Sequence, residues 1–404
     1  AGHSVVPFVT PLRKPEPPRE APHHNLNLEW VYGYNAHSSR QSLSYGAKGD
    51  IIYPAGAVCI VQNLAYNTQK HFTVHTDLVT CLKTYHTEDA RTVAASGETG
   101  VRPAVHVWDA DTMQLLATLV GYHRNGIAQV DFSPDRTKLA TLGMDRYNSI
   151  GVYEWQTRTR LWGSRTTFEN VYDIRFLTHS LVATCGTNHV YFWQKGESSF
   201  YKRYRGLFGS AVKPESLYCV ALVGSTIVTG SETGMLYAWE GRNLISSVRG
   251  HTGVVNCMFV VNQGKEDQGL ISACTAGKVQ IWNERLEIGA TFNATTLGPI
   301  EPPIVAIGWY LLTSKVLLGF KTCEVYEMDS SDGRNLHMGS VVAGHYKPRV
   351  CGVAVHPMDP HIFCTVGDDR SVRVFDSRDH KQMRMSLMDS MGHCCAYSPD
   401  GQAV

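Results

Sequence analysis

The stretch VHVWD, Val105–Asp109, decides how this chain is interpreted, because strand-like runs of the same form recur along it. Each run ends in an aromatic residue, and an acid or an amide often follows. The mean spacing from Trp108 to Phe375 is about 44 residues, and a period near 40 to 45 residues is typical of propeller blades. The other runs are IGVYEW (Trp155), HVYFW (Trp193), MLYAWE (Trp239), VQIWN (Trp282) and VRVFD (Phe375), with a degenerate CEVYEMD at Tyr326.

Turns that contain a histidine precede several of these units, at His75, His123, His251 and His345. A short apolar strand follows each turn, then a second run such as KLATLG, then the aromatic strand and one more strand, which makes four antiparallel strands per unit. The turn histidine, a Ser or Thr of the second strand and the terminal Trp are expected to form a buried polar chain, because a buried imidazole and a buried indole N–H both need partners.

The predicted fold is therefore all-β, a WD-repeat β-propeller with seven complete four-stranded blades. The complete units start near residues 78, 127, 171, 216, 254, 304 and 350, and a weaker N-terminal unit occupies about 41–75. After the seventh unit, SMGHCCAYSPDGQAV restarts the pattern, so the ring is expected to be the first of a tandem pair. The expected domains are the propeller at 41–385 and the truncated start of a second propeller at 386–404.

Overall charge gives no reason to expect a nucleic acid or a membrane as partner. The formal net charge is +1, from 37 basic and 36 acidic residues, so electrostatic binding must come from local patches. The eleven cysteines are scattered without CxxC pairing, which predicts buried thiols in a reducing compartment and neither a disulfide framework nor a metal site. The first residues do not form a signal peptide, and a cytoplasmic protein is expected.

The sequence also predicts no catalytic activity and no cofactor. The candidate histidines recur at one position of the repeat, whereas a catalytic base occurs once, beside a nucleophile or a second titratable group. No nucleophile elbow, phosphate loop or HExxH motif is found in the sequence.

Three basic clusters follow the aromatic ends of units and are expected on outer strands or rim loops. One interpretation is an edge strand protected from aggregation by Lys and Arg, and the other is attraction to an acidic partner. The cluster RDHKQMR is dense and lies near the end of the ring, so it is the first choice for mutation. The candidate partner-binding residues are Arg158, Arg160 and Arg165, then Lys202, Arg203 and Arg205, and finally Arg378, Lys381 and Arg384.

The N-terminal part lies outside the repeats. Residues 1–25 form a proline-rich leader, expected either to be an extended tether or to lie along a surface. The segment LNLEWVYGYN follows, within a hydrophobic motif at 26–40, and its period-two alternation predicts a strand with one apolar face. That face, which includes Leu26, Leu28, Trp30, Tyr32 and Tyr34, is expected to fill a seam beside the ring or between two rings, or else to add a strand to the first blade.

Several of these segments, taken in order, resemble the echinoderm microtubule-associated protein-like family. LNLEWVYGYN is similar to the end of that family's hydrophobic motif, and SLSYGAKGDIIYPAGAVCIVQN, HTDLVTCL, GTNHVYFW and GLFG follow in the family's order. The resemblance implies two propellers side by side, no catalysis, and association with tubulin or microtubules in the cytoskeleton, including the axoneme of cilia and flagella. Other cytoskeletal or axonemal proteins are further implied partners. A general WD-repeat adaptor for a multi-protein assembly is the alternative function.

Overall fold

The computed structural model describes residues 26–197, 200–210, 212–262, 268–298, 303–310, 312–347 and 349–404. The predicted proline-rich leader lies outside the described residues. Within them, the regular structure is thirty-one β-strands and one 3-10 helix, Ala294–Thr296. Among these described elements there is no helix of the length and apolar character that a membrane span requires.

The strands form eight sheets, each built from strands that are consecutive in the chain and antiparallel. Sheet 1 contains β1 (Ser44–Tyr45), β2 (Ile51–Ala55), β3 (Val58–Asn63) and β4 (Thr68–Phe72). Sheet 2 contains β5 (Val79–His86), β6 (Thr92–Gly100), β7 (Val105–Asp109) and β8 (Leu115–Leu119). Sheet 3 contains β9 (Asn125–Phe132), β10 (Lys138–Gly143), β11 (Ile150–Glu154) and β12 (Thr159–Ser164). Sheet 4 contains β13 (Val171–Phe176), β14 (Leu181–Gly186), β15 (His189–Lys195) and β16 (Tyr201–Arg205).

The second half of the chain continues in the same way. Sheet 5 contains β17 (Leu217–Val223), β18 (Thr226–Ser231), β19 (Met235–Glu240) and β20 (Asn243–Arg249). Sheet 6 contains β21 (Val255–Val261), β22 (Gly269–Cys274), β23 (Lys278–Asn283) and β24 (Ile288–Asn293). Sheet 7 contains β25 (Ile304–Trp309), β26 (Lys315–Phe320) and β27 (Val325–Asp329), and sheet 8 contains β28 (Val350–Val355), β29 (Ile362–Gly367), β30 (Ser371–Asp376) and β31 (Lys381–Leu387). Sheets 2 and 3 are also joined to each other, where the end of β6 pairs with the start of β9.

Sheets 1 to 7 close a ring, and they are called blades 1 to 7 below. The first strands of blades 2 to 7 contact one another in chain order. Blade 1 closes the ring, because its strand β2 contacts β5 of blade 2 and its strand β1 contacts β25 of blade 7. The closing seam between blades 7 and 1 is apolar: Tyr34, Ile51 and Tyr53 pack in one cluster with Leu317 and Val325. Because no sheet combines strands from both ends of the ring, side-chain packing closes it rather than shared strand pairing. The prediction of a WD-repeat β-propeller is confirmed.

The units differ from the prediction in detail. Blade 7, expected to have four strands, has three, and the chain after β27 makes only isolated bridges at Asn335 and Val342. That segment begins SSDG, a composition that favours turns over a strand. The N-terminal unit, expected to be weaker, is a four-stranded blade that completes the ring.

The last predicted blade lies outside the ring, so the expected propeller range 41–385 contains one sheet too many. In a ring, the innermost strand of a blade is covered by its neighbours. In β28, by contrast, the side chains of Val350, Val353 and Val355 are 55%, 67% and 57% exposed. We refer to this sheet, β28 to β31, as the eighth sheet.

The segment LNLEWVYGYN is extended but forms no strand, and its apolar face is only partly covered. Leu26 and Leu28 are exposed, contrary to the predicted buried face. Backbone groups here bond to a side chain instead of a neighbouring strand: the Val31 N–H donates to Gln69 Oε1, and Gln69 Nε2 donates to the Val31 carbonyl. The expected strand at 26–40 is therefore absent from the described structure, because no partner strand offers a hydrogen-bond ladder.

The three aromatic residues of this segment connect the ring to the eighth sheet. Tyr34 is buried in the closing seam of the ring. The ring of Tyr32 lies 4.7 Å from that of Phe375 in the eighth sheet, and Trp30 stacks on His380 at 4.1 Å. The segment thus lies between two bodies, with one end in the ring core and the other against the neighbouring sheet.

Candidate protein-binding surface

Two of the three basic clusters lie on the outer edges of adjacent blades. Arg160 belongs to β12, the last strand of blade 3, with Arg158 and Arg165 just outside its ends. Lys202, Arg203 and Arg205 belong to β16, the last strand of blade 4. All these side chains are exposed. We call these two strands and their flanking cations the basic edge.

Aromatic rings hold the cations of the basic edge in place. The Arg160 guanidinium lies 4.3 Å from the ring centre of Tyr122, and that of Arg165 lies 4.4 Å from the ring centre of Tyr147. On blade 4, Lys202 lies 5.4 Å from the Tyr204 ring. Such cation–π contacts orient a charge while leaving its N–H groups available to a partner.

The two strands of the basic edge are close to each other. Arg203 Nη1 donates to the Thr166 carbonyl at 2.7 Å, just beyond the end of β12. Below this contact, the Trp162 ring of β12 packs against the Tyr201 ring of β16 at 4.8 Å. The cations therefore form one continuous patch across blades 3 and 4.

Acidic side chains do not neutralise this patch. Within the described parts of the chain, none of the cations of the basic edge has a carboxylate oxygen within 4.0 Å. The nearby Glu169 pairs with His189, and the nearby Glu154 accepts from Thr157. The charge of the basic edge is therefore available for an external partner.

The third cluster is different. Arg378 Nη2 lies 2.7 Å from Asp376 Oδ2 and 3.0 Å from Asp359 Oδ2, so its charge is already compensated within the eighth sheet. Lys381 and Arg384 are exposed on β31. The cluster chosen first from the sequence for its density is thus less suited to an acidic partner than the other two.

One further cation was missed from the sequence. Arg146, in the turn between β10 and β11, is exposed and lies 5.4 Å from the ring of Phe168. Its sequence neighbour Tyr147 carries Arg165 on its face. Alternation of Arg with aromatic residues was the available signal, but it is divided between two distant parts of the sequence.

The turn histidines face Ser or Thr side chains inside their own sheets. The Nε2 atoms of His75, His123, His251 and His345 lie 2.6–2.8 Å from a hydroxyl oxygen. In two of these sheets a tryptophan completes the chain: Trp108 Nε1 donates to Ser96, and Trp282 Nε1 donates to Ser272. Trp193 and Trp239 donate in the same way to threonines of blades 4 and 5.

Blade 3 departs from this pattern, and Trp155 is not the counterpart of Trp108. In blade 2, Trp108 lies opposite Ala94, which is two residues before Ser96. In blade 3, Tyr153 lies opposite Leu139, which is two residues before Thr141, so Tyr153 has the place of Trp108. Trp155 follows β11 and donates its Nε1–H to the Arg136 carbonyl at 2.8 Å. In the eighth sheet, Phe375 has the corresponding place, and its side chain has no N–H to donate.

The central cavity of the ring, about 550 Å³, contains buried charges that a sequence search for catalytic motifs did not predict. Arg175 Nη1 lies 3.3 Å from Asp131 and its Nε 3.4 Å from Asp173. Each carboxylate also accepts a backbone N–H from the following blade, that of Phe176 for Asp131 and that of Val220 for Asp173. These groups are used to join blades, which is a structural role.

Arg136 also lines the cavity, and so does Lys83. Its Nζ lies 3.9 Å from Asp131 Oδ1. Burial, and secondly the Arg175 charge, lower the pKa of Lys83 to about 8. A nucleophile or an oxyanion-stabilising group beside it would be needed to assign a reaction, and the described lining of the cavity places none within hydrogen-bond distance of Lys83.

A closed ring of WD-type blades defines a protein of the β-propeller class. Residues 68–307 match the family model for the echinoderm microtubule-associated protein first beta-propeller, residues 21–60 match the HELP motif, and residues 338–376 match the WD domain, G-beta repeat. The first of these matches covers more than half of the chain. The chain belongs to the echinoderm microtubule-associated protein family.

Similar curated proteins carry the same family name. The chain is 27% identical to echinoderm microtubule-associated protein-like 4 of Mus musculus over 95% of its own length and 40% of that protein. It is 27% identical to echinoderm microtubule-associated protein-like 1 of Rattus norvegicus, over 95% of its own length and 47% of that protein. It is 26% identical to echinoderm microtubule-associated protein-like 2 of Mus musculus, over 95% of its own length and 59% of that protein. The chain therefore spans about half the length of these relatives.

Proposed function

We propose that this chain is a non-enzymatic, microtubule-associated scaffold that binds tubulin through the basic edge of blades 3 and 4. The family supports the partner, because the relatives are described as microtubule-associated proteins. The observation that carries the site is the set of exposed cations on two adjacent strands, held by aromatic rings and without ion pairs among the described residues.

Physical reasoning favours a charge-driven contact at this edge. An exposed charge far from a compensating partner acts over roughly 8 Å at physiological ionic strength, so clustered cations attract an acidic surface more strongly than scattered ones. The basic edge also protects two outer strands from pairing with other chains. A single set of side chains thus serves both interpretations made from the sequence.

The eighth sheet has a different proposed role. We propose that it is the first blade of a second ring. Three observations support this: its innermost strand is exposed, it matches the WD domain model, and it makes aromatic contacts with residues 30–32. The HELP-type segment then lies between the two rings. In the cell, we propose the cytoplasmic cytoskeleton as location, with the ciliary axoneme as the specific site to test by imaging the tagged full-length protein in ciliated cells.

The direct experiment is co-sedimentation with microtubules at graded salt concentrations. The wild-type chain is expected to pellet at low salt and to be released as salt rises. A variant with Arg158, Arg160 and Arg165 replaced by Gln is expected to lose most of this binding. A matched variant with Arg378, Lys381 and Arg384 replaced by Gln removes three cations elsewhere and is expected to bind like wild type.

Two controls make the outcome specific. Arg160→Lys and Arg165→Lys keep the charge, so they are expected to preserve binding if attraction dominates. Thermal melting of each variant tests that the ring is intact. Wild-type chain that stays in the supernatant at low salt would contradict the partner, whereas equal loss in both Gln variants would contradict only the site.

A further inference from the structure

Blade 2 carries two imidazoles and a carboxylate that converge at one point. His75 precedes β5, Glu98 lies in β6 and His106 lies in β7, and all three side chains are buried. One potential ligand atom from each lies within 4.8 Å of the other two. The His75 and His106 ring centres are 4.7 Å apart, with the rings inclined at 70°.

The second imidazole distinguishes blade 2 from the sheets with comparable histidine–acid pairs. His123 lies 3.9 Å from Asp145 in blade 3, and His345 lies 2.8 Å from Asp369 in the eighth sheet. Strand register places His106 opposite Ser96. The equivalent positions, opposite Thr141 and opposite Thr365, are Gly151 and Arg373. A histidine–acid pair is therefore part of the repeat, whereas the third group is particular to blade 2.

Neighbouring hydroxyl groups leave one nitrogen of each imidazole pointing to the convergence point. Without metal, His75 Nδ1–H donates to Glu98 Oε2 at 3.0 Å, and Ser96 Oγ lies 2.6 Å from His75 Nε2, where it can accept the proton when Nδ1 becomes a ligand. His106 Nδ1 lies 3.0 Å from Thr118 Oγ1, so donation through Nδ1 leaves the Nε2 lone pair unprotonated. A hydrogen bond to the far nitrogen is the usual device that fixes the tautomer of a metal-binding histidine.

The surroundings of Glu98 and His106 shift the pKa values of both side chains. Burial by itself raises the pKa of Glu98, but hydrogen bonds from His75 and the Thr76 backbone hold it down at about 2. Burial, and next the His75 charge, lower the pKa of His106 to about 4. The Phe72 ring, 5.8 Å from His75 and 6.2 Å from His106, forms an apolar wall beside the site.

We propose that His75 Nδ1, the Glu98 carboxylate and His106 Nε2 bind one first-row divalent metal ion, with Zn²⁺ as the best fit. Two imidazoles and one carboxylate, with a fourth position for water, form an established zinc ligand set. Binding replaces the His75–Glu98 hydrogen bond, and the proton on His75 Nδ1 moves to Nε2, where Ser96 Oγ accepts it. The ion would fasten the turn before β5 to two strands of blade 2. The spacing of the three residues in sequence gave no zinc motif, since they come from separate elements.

The test is Zn²⁺ titration by calorimetry of the full chain after it has been stripped with a chelator. The wild type is expected to bind one Zn²⁺ per chain. His106→Gln removes a ligand but retains the His75–Glu98 pair, and it is expected to bind at least about 100-fold more weakly, because even loss of an outer hydrogen bond costs 10- to 100-fold. Thr118→Val removes only that outer hydrogen bond and is expected to weaken binding about 10-fold.

Two controls separate this site from adventitious binding. His179→Gln alters an exposed histidine 3.3 Å from Asp135 and is expected to change nothing. Titration with Co²⁺ distinguishes these ligands from the exposed thiols of Cys351 and Cys394, because a thiolate ligand produces an intense charge-transfer band that imidazole and carboxylate do not.

Stability measurements complete the test. Zn²⁺ is expected to raise the melting temperature of the stripped wild type and not that of His106→Gln, while both melt alike in chelator. Failure of the stripped wild type to bind Zn²⁺ would overturn the proposal. So would wild-type affinity in both His106→Gln and Thr118→Val, or a thiolate band with Co²⁺. None of these outcomes depends on whether the chain binds microtubules.

Discussion

The buried hydroxyl groups of the blades make a quantitative prediction about stability. In blade 6, Ser272 Oγ lies 2.7 Å from His251 Nε2 and 2.8 Å from Trp282 Nε1. In blade 5, which has no turn histidine, Thr229 Oγ1 has one hydrogen-bond partner among the described residues, Trp239 Nε1 at 2.9 Å. Both hydroxyl-bearing residues are fully buried. Ser272→Ala therefore leaves two buried groups without partners, and Thr229→Val leaves one.

The expected magnitudes follow from this count. A buried group deprived of its partner costs about 1 to 3 kcal/mol, so Thr229→Val should lower the free energy of unfolding by about that amount, and Ser272→Ala by about twice as much. Because Thr229→Val conserves the side-chain volume, cavity formation adds little to its cost.

Differential scanning calorimetry of the two variants measures the ratio of their losses of stability. For a chain of this size, 1 kcal/mol corresponds to a shift in melting temperature of about 1 °C. Thr229→Ser, which keeps the hydroxyl group, is the matched control and should lose less than Thr229→Val. If Ser272→Ala melted at or above the temperature of Thr229→Val, the hydrogen-bond chains would not contribute as described.

Three further predictions concern other parts of the structure. Burial, and secondly Lys278, lower the pKa of His251 to about 4. In the unfolded chain the pKa of His251 is near 6.5, so on acidification the unfolded chain binds a proton that the folded chain does not, and the free energy of unfolding should fall by about 2 kcal/mol between pH 6.5 and pH 5. The melting temperature of His251→Gln should depend less on pH. Arg40 donates to the Tyr218 and Asn256 carbonyls at 3.2 and 2.6 Å, so Arg40→Ala should lower the free energy of unfolding in denaturant titration by about 2 to 3 kcal/mol, and an unchanged midpoint would contradict this role. Trp30→Ala removes the stacking on His380, worth about 0.5 to 1.5 kcal/mol beyond burial, and should accelerate hydrogen exchange in β31 while leaving blade 4 unchanged.

Much of the fold was predictable from the sequence because the repeat is periodic. The aromatic residue at or near the end of the third strand marked seven of the eight units, and the rhythm of strands and turns marked the N-terminal one. Where the aromatic residue shifts, the signal fails: the sequence predicts Trp155 as the terminal aromatic residue of the third strand of blade 3, but strand register gives that place to Tyr153. The spacing of aromatic residues in the sequence does not show which residues of neighbouring strands lie opposite each other.

The sequence alone does not show which sheets close the ring. VRVFD in the eighth sheet has the same pattern as a blade of the ring, because local patterning records strand formation and not which sheets pack together. The residues that close the ring, such as Tyr34 and Val325, are far apart in the chain and have no motif in common. Similarly, Leu26 and Leu28 follow the apolar alternation of Tyr34 but remain exposed.

The candidate surface was partly predictable. Composition identified the basic clusters, and their position after each aromatic strand correctly indicated outer strands for Arg160 and Arg203. Only part of the charge compensation was predictable, because Asp376 lies two residues before Arg378, whereas Asp359 comes from a different hairpin. The three-dimensional arrangement therefore changes the preferred target for mutation from the eighth sheet to blades 3 and 4.

The most direct measurement is a cryo-electron microscopy map of the protein bound to microtubules, at a resolution that identifies individual blades. The account predicts that β12 and β16 face tubulin, with density continuous from Arg160 and Arg203 to the lattice. A map in which the edge of blades 3 and 4 faces solvent, while another surface contacts tubulin, would contradict the central claim.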